Sequence, residues 1–149
     1  MSTDFAAMHG LYLEDLKVGM SAMFGKTVTE ADIAAFAGVS GDTNPIHLHG
    51  GFAQTTRFGQ RIAHGMLSGS FISTVIGTKL PGPGCIYLSQ NMKFKAPVYI
   101  GDEVVATLKV TGLDPDKARA TLACDCAVNG KTVLEGEAVM MVDRRSPRQ

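Results

Sequence analysis

The sequence predicts an α+β protein in which a curved antiparallel sheet of about five strands wraps around one long buried helix. Three observations support this fold class. One apolar segment of helical length lies at 64–79, four segments with alternating apolar and polar residues follow it, and one further strand-like segment precedes it. A sheet with one apolar face needs a second layer, which the helix supplies.

The first part of the chain contains a strand and two helices. We predict the strand at 21–28 and a helix at 30–38, with Thr29 as its N-cap. Asp32 stands three residues after Thr29, which is the spacing of a capping box. A loop of turn composition follows, and a short helix is expected near 51–56.

The segment 64–79 is apolar around most of a helical circumference. Serine, threonine and glycine fill the remaining positions. A helix with small or apolar residues on every side is expected to be buried. The sequence Pro81-Gly82-Pro83-Gly84 ends this helix.

The remaining strands are predicted at 85–97, 103–113, 119–129 and 132–142, where the apolar period changes to two. Asn129-Gly130 predicts a type I′ hairpin between the last two strands. The residues expected to face inward are Ile86, Leu88, Met92, Phe94 and Ala96; Val104, Ala106, Leu108 and Val110; Ala120, Leu122, Cys124, Cys126 and Val128; and Leu134, Ala138, Met140 and Val142.

The composition is that of one globular domain spanning residues 1–149, with an ordered core at about 11–142 and a flexible tail at 143–149. Fourteen basic and fourteen acidic residues cancel, so no charge imbalance indicates a nucleic-acid partner. No apolar stretch reaches the roughly 18 to 20 residues of a membrane span. The three cysteines, an odd number, and the lack of a signal-like N-terminus favour reduced thiols in the cytoplasm.

The loop 40–47 contains the best acid/base candidates, Asp42 and His47. Gly65 stands at the N-terminus of the predicted buried helix, where backbone N–H groups are free. Taken alone, aspartate and asparagine in such a loop are more often turn formers than catalysts. Ser73 alone is more often a small residue that allows close packing, and His64 is left out of the catalytic set.

Three motifs of the sequence together resemble those of a known protein family. They are 41–47 (Gly-Asp-Thr-Asn-Pro-Ile-His), 52–59 (Phe-Ala-x-Thr-Thr-x-Phe-Gly) and 62–67 (Ile-Ala-His-Gly-Met-Leu). In this order they resemble the MaoC-type hot-dog hydratases, and most closely the single-domain (R)-specific enoyl-CoA hydratases. The likeness extends from about residue 11 to residue 142. One departure is His49 followed by two glycines, where the family often has an acidic residue.

The resemblance implies a hot-dog fold, a homodimer and reversible hydration of trans-2-enoyl-CoA to (R)-3-hydroxyacyl-CoA. It matches Asp42 and His47 to the catalytic pair, and Gly65 to the glycine whose N–H polarises the thioester carbonyl. Ser73 matches a serine of the same site, and Asn44 completes the predicted substrate-binding set by orienting the pair or by making the turn. Coenzyme A is part of the substrate, and we expect no metal and no further cofactor.

Two alternatives use the same fold. The first is a dehydratase acting on an acyl-carrier-protein thioester or on a branched or dicarboxylic acyl-CoA. The second is a non-catalytic acyl-CoA-binding subunit, because a fold alone does not fix function. The intact Asp42–His47 pair argues against the second alternative, and the motif at 42–47 argues against a thioesterase.

Overall fold

The computed structural model describes residues 1–146. After two 3₁₀ turns, at Phe5–Met8 and Leu13–Asp15, the described elements follow in order. They are β1 (Ser21–Thr27), α1 (Glu30–Ser40), α2 (Pro45–Leu48), α3 (Gly50–Gln54), α4 (Gly65–Thr78), β2 (Ile86–Phe94), β3 (Glu103–Asp114), β4 (Arg119–Val128) and β5 (Lys131–Met141). The five strands form one antiparallel sheet in the order β1-β3-β4-β5-β2.

The core lies between α4 and one face of the sheet. The predicted inward faces of β3, β4 and β5 are confirmed, with Val128 half-buried. The α4 residues buried against them are Leu67, Ser68, Phe71, Ile72, Val75 and Ile76. The predicted α+β arrangement of a helix on an antiparallel sheet is therefore confirmed.

The expectation that the central helix is buried on every side is wrong for the single chain. Met66, Ser73 and Gly77 of α4 are exposed. The helix packs on β1, β3 and β4, so the sheet covers only one of its sides.

The inward face predicted for β2 is confirmed only in part. Met92 and Ala96 are half-buried and pack on the core, and the ring of Phe94, although exposed, lies against Gly65 of α4. Ile86 and Leu88 are exposed. The reason is topological, because β2 is an edge strand that pairs only with β5, and its register shifts between Tyr87 and Ser89. An alternating pattern identifies a strand but not the position of that strand in the sheet.

Local signals predicted the helix and turn boundaries well. Both hydrogen bonds of the predicted capping box form, since the Asp32 N–H donates to Thr29 Oγ1 at 3.2 Å and the Thr29 N–H donates to Asp32 Oδ2 at 2.9 Å. Asn129 and Gly130 have φ angles of 50° and 77°, as a type I′ turn requires. The four-residue α2 was not predicted, because its residues lie in a stretch of turn composition.

The two ends of the described chain meet. His9 Nε2 lies 3.1 Å from Asp143 Oδ2, and the Arg145 guanidinium lies 2.7 Å from the Asp15 carboxylate. Residues 147–149 of the predicted flexible tail lie outside the described residues, and its flexibility stays a prediction.

The three cysteines are free, and Cys124 and Cys126 are buried in the core as predicted. Burial raises the pKa of Cys124 to about 11 and that of Cys126 to about 12, so both remain thiols at neutral pH. In the described part of the chain, no helix is long and apolar enough to span a membrane.

Gly136 of β5 is required by the close approach of β2. A Cβ atom at this position would overlap the backbone oxygen of Asn91, whereas one at Gly25 of β1 would meet only Val105 Cγ2 at 3.8 Å. We predict that Gly136→Ala lowers the free energy of unfolding by about 1–3 kcal/mol or more. Gly25→Ala, the matched control, is expected to leave it unchanged or raise it by up to about 1 kcal/mol. Urea denaturation at one protein concentration measures both, and equal midpoints for the two variants would contradict the packing described.

Candidate active site

A short extended segment, 61–64, leads into α4 and is held on both sides by backbone hydrogen bonds. The Ile62 N–H donates to the Ile46 carbonyl at 3.2 Å, and the Ala63 N–H donates to the Val98 carbonyl at 2.7 Å. The segment is therefore fixed between α2 and the chain that follows β2. Other polar groups of the segment form hydrogen bonds with Asp42 and His47.

His47 lies on α2 and is buried, with 8% of its surface exposed. Asn44 caps this helix by accepting the Ile46 N–H at 3.0 Å, and proline at the first helical position suits a helix start. His47 Nδ1 lies 2.8 Å from the Ile62 carbonyl oxygen. Because a carbonyl only accepts hydrogen bonds, Nδ1 carries the proton and Nε2 is left with a free lone pair.

Asp42 lies in the loop after α1. Gly41 ends that helix with a φ angle of 78°, and the Asp42 N–H then donates to Ser40 Oγ at 3.1 Å. One carboxylate oxygen, Oδ1, accepts the Asn44 N–H at 3.2 Å. The other oxygen, Oδ2, lies 3.9 Å from His47 Nε2.

The gap between Asp42 Oδ2 and His47 Nε2 is too long for a direct hydrogen bond. Both atoms are acceptors when His47 is neutral, so one water molecule donating to each would fill the gap favourably. Burial and, to a smaller extent, His64 lower the pKa of His47 and together outweigh the Ile62 hydrogen bond and the Asp42 charge, which raise it. The pair is therefore suited to hold a water between a carboxylate and a neutral imidazole.

His64, which the sequence analysis left out, contacts both members of the pair. Its Nε2 lies 2.9 Å from the backbone carbonyl oxygen of Asp42. Its ring stacks on the ring of His47, with centroids 3.8 Å apart and planes inclined by 28°. Its Nδ1 is buried and has no hydrogen-bond partner among the described residues. The sequence feature that could have identified His64 is its place beside Gly65 in the motif at 62–67.

Arg61 is a second residue that sequence reasoning missed. Its Nε donates to the His47 carbonyl at 2.5 Å, and its two terminal nitrogens each lie 2.9 Å from a carboxylate oxygen of Glu30. Arg61 therefore connects α1, through its bidentate pair with Glu30, to α2, through the His47 carbonyl. Nothing in the local sequence indicates a contact between residues 31 positions apart.

A cavity of about 1050 Å³ opens beside the pair. Its wall is largely apolar, and Asp42, His64 and Gly65 are among its polar lining groups. His47 lies behind this wall and would reach a bound molecule through the shared water. The apolar and charged lining residues include Phe36, Phe58, Met66, Phe94, Val98, Leu134, Arg57 and Lys95.

Gly65 is the first residue of α4. The first amides of a helix have no partner within the helix itself. A Cβ atom at this position would lie 2.7 Å from Cε1 of Phe94, so a side chain would displace the ring. Glycine thus keeps the first amide of the helix beside the cavity. This placement agrees with the position expected for Gly65.

Asn44 and Ser73 are not brought to the cavity wall. The side-chain oxygen of Asn44 is engaged by the Ile46 N–H, and Ser73 is exposed on α4 away from the lining residues. Their predicted contacts with a substrate stay predictions that rest on the resemblance. Ser68 of the same helix is the serine that lines the cavity.

Asp42, His47 and His64 each place one potential metal-ligand atom within 4.8 Å of the others. The two imidazole rings are stacked, however, so their nitrogen lone pairs do not converge on one point. In addition, one nitrogen of each ring already forms a hydrogen bond with a backbone carbonyl. The donor set therefore fits a water better than it fits a shared cation.

Comparisons with known proteins identify the family of the chain. Residues 15–129 match the family model described as MaoC like domain. The chain is 57% identical over 145 residues to an (R)-specific enoyl-CoA hydratase of Rhodospirillum rubrum, covering 97% of this chain and 99% of that protein. It is 48% identical over 135 residues to a 3-hydroxybutyryl-CoA dehydratase of Methylorubrum extorquens, covering 91% and 86%. The unliganded R-hydratase PhaJ1 from Pseudomonas aeruginosa superposes with a TM-score of 0.86 at 41% identity, covering 94% of this chain and 93% of that one.

The pKa of His47 provides a test of the site. We predict an NMR titration midpoint below 6.5 for His47, because burial disfavours the imidazolium. For His9 we predict a midpoint above 6.5, because the Gly10 carbonyl and then Asp143 stabilise its charged form. Asp42→Asn should lower the His47 midpoint further, because the carboxylate raises it.

The same pKa makes a stability prediction. With a folded pKa below the unfolded value of 6.5, His47 contributes stability that is present above pH 6.5 and is lost as the pH falls through its folded pKa. A His47 midpoint at or above 6.5 in the wild type would contradict the assignment of a neutral, buried imidazole.

Proposed function

The chain belongs to the MaoC-like family and has the hot-dog fold, and on this basis we propose that it is an (R)-specific enoyl-CoA hydratase. It adds water reversibly to trans-2-enoyl-CoA and yields (R)-3-hydroxyacyl-CoA. The observation that carries the proposal is the pair of facing acceptors, Asp42 Oδ2 and His47 Nε2, 3.9 Å apart beside a large apolar cavity.

Hydration requires a polarised water and a proton for the neighbouring carbon. A water held by Asp42 and His47 donates both hydrogens to the pair, so an oxygen lone pair is directed away from it. The oxygen bonds to the β carbon while one of its protons passes to the pair. The pair returns one proton to the α carbon, so its charge is the same before and after turnover. The reaction needs no redox cofactor and no metal.

Negative charge develops on the thioester oxygen between these two steps. We assign its stabilisation to the Gly65 N–H, at the start of the 14-residue α4. The positive end of the helix dipole adds to this hydrogen bond. A donor placed in this way contributes about 3 kcal/mol to transition-state binding.

The substrate is a coenzyme A thioester. Arg57 and Lys95 line the same cavity, and their charges suit the phosphates of coenzyme A, although Lys95 forms an exposed ion pair with Glu135 at 3.1 Å. The likeness to a 3-hydroxybutyryl-CoA dehydratase favours a second candidate, which is the same reaction run toward the enoyl thioester on a four-carbon acyl group. The two candidates share every residue of the site and differ in direction and acyl length.

We further propose that the protein is a cytoplasmic homodimer and that it acts in fatty-acid metabolism. The edge strand β2 supports the dimer, because it exposes Ile86, Tyr87, Leu88 and Phe94 along an unpaired edge. Such an edge is a template for pairing with another chain. The three free cysteines support a reducing compartment.

We predict that the wild type consumes crotonyl-CoA, measured by loss of enoyl absorbance, and forms the (R)-3-hydroxy product. Asp42→Asn and His47→Gln should each lower kcat about 10²- to 10⁴-fold, because each replaces a group that can take up a proton with an amide that cannot. Binding of crotonyl-CoA should persist in both variants.

Asp4→Asn and His49→Gln are the matched controls, since these residues lie outside the cavity lining. Their kcat should stay close to that of the wild type. If the wild type turns over crotonyl-acyl-carrier-protein but not crotonyl-CoA, the substrate is an acyl-carrier-protein thioester and the coenzyme A assignment is wrong. Binding without turnover of either thioester would leave a binding protein instead of an enzyme.

The dimer makes a separate prediction. Light scattering after gel filtration should give twice the 15.8 kDa mass of the chain. Leu88→Lys places a charge on the exposed β2 edge and should shift the mass toward the monomer, whereas Met23→Lys on the opposite edge strand, β1, should not. A monomeric wild type at micromolar concentration would refute the dimer.

A further inference from the structure

The loop that carries Asp42 is held mainly by itself. Within the described residues, the Gly41 N–H bonds to Ala37, the Asp42 N–H to Ser40 Oγ, and the Asn44 N–H to Asp42 Oδ1. These partners lie at most four residues away in sequence. Local bonds of this kind define a turn, but they do not fix the turn relative to the rest of the protein.

One hydrogen bond of this loop comes from a distant residue. His64 Nε2, 22 residues away in sequence, lies 2.9 Å from the Asp42 carbonyl oxygen. His64 is 2% exposed and directly precedes α4, so it is part of the rigid scaffold. Its ring simultaneously stacks on His47 at 3.8 Å. One side chain thus contacts both residues that would hold the water, Asp42 through its backbone carbonyl and His47 through its ring.

The buried Nδ1 of His64 indicates that this residue is not optimised for stability alone. The other ring nitrogen, Nε2, bonds to a carbonyl, whereas Nδ1 has no partner among the described residues. A buried polar atom without a partner is unfavourable. An apolar side chain of similar size would remove that cost. It would also remove the donor to Asp42.

We propose that His64 is a positioning residue, whose Nε2–H anchors the Asp42 carbonyl and so sets the spacing between the Asp42 carboxylate and His47. The inference rests on the proposed hydratase function, for which this spacing determines whether one water is held by both groups. Small misplacements of reacting groups reduce turnover strongly, even where binding is retained.

Two variants separate the hydrogen bond from the packing. His64→Gln can keep an N–H donor near the position of Nε2, whereas His64→Met is apolar and of similar size. We expect His64→Met to lose kcat on the order of 10- to 100-fold with KM nearly unchanged. His64→Gln should recover most of this loss. The melting temperature of His64→Met should stay near that of the wild type, because the unpaired Nδ1 is removed together with the donor.

His49→Met is the matched control. His49 Nδ1 accepts the Phe52 N–H at 3.0 Å, so this variant also removes a histidine–backbone hydrogen bond, but at α3 and outside the cavity lining. Its melting temperature should fall while kcat stays within about twofold of the wild type. A kcat loss that merely follows stability across the three variants would overturn the positioning role.

Hydrogen exchange gives a readout that is independent of catalysis. The amides of residues 42–44 should exchange faster in His64→Met than in the wild type or His64→Gln. If the wild type hydrates no thioester, the proposed function fails and this exchange pattern alone decides the inference. Unchanged protection of 42–44 in His64→Met, or a kcat for that variant within twofold of the wild type, would overturn it.

Discussion

The site depends on the hydrogen bond from His47 Nδ1 to the Ile62 carbonyl, 2.8 Å long. This bond fixes the tautomer of His47 and turns the Nε2 lone pair toward Asp42. The carbonyl is itself fixed, because the segment 61–64 is bonded to α2 on one side and to Val98 on the other. The backbone before α4 therefore sets the protonation pattern on which the proposed chemistry rests.

Opposing effects act on the pKa of His47, and the outcome decides what the pair can do. Burial, the largest effect, and the neighbouring His64 favour the neutral ring, while the Ile62 hydrogen bond and the Asp42 carboxylate favour an imidazolium. If the carboxylate prevailed, a charged pair would be expected to close to hydrogen-bond distance. The observed separation of 3.9 Å is instead that of two acceptors with space for a shared donor. The sheet and α4 contribute the rigid support and the amide of Gly65.

Much of this architecture could be predicted from local patterns. Strand periodicity, the Thr29–Asp32 capping box and the Asn129-Gly130 turn are properties of a few neighbouring residues, and each was confirmed. Asp42, His47 and Gly65 were predicted as site residues because they stand in compact motifs, and the structure places them beside one cavity. The exposure of β2 and of one side of α4 was missed, because burial depends on sheet order and on what covers each face. His64 and Arg61 were missed because their partners lie 22 and 31 residues away or are backbone atoms.

Neutron diffraction from a crystal grown in D₂O at neutral pH tests the central claim most directly, because it locates deuterons on imidazole nitrogens and orients bound water. We predict a deuteron on Nδ1 of His47, none on Nε2, and one D₂O directing a deuteron at Nε2 and the other at Asp42 Oδ2. A deuteron on His47 Nε2 bonded directly to Asp42, with no water between them, would contradict the account.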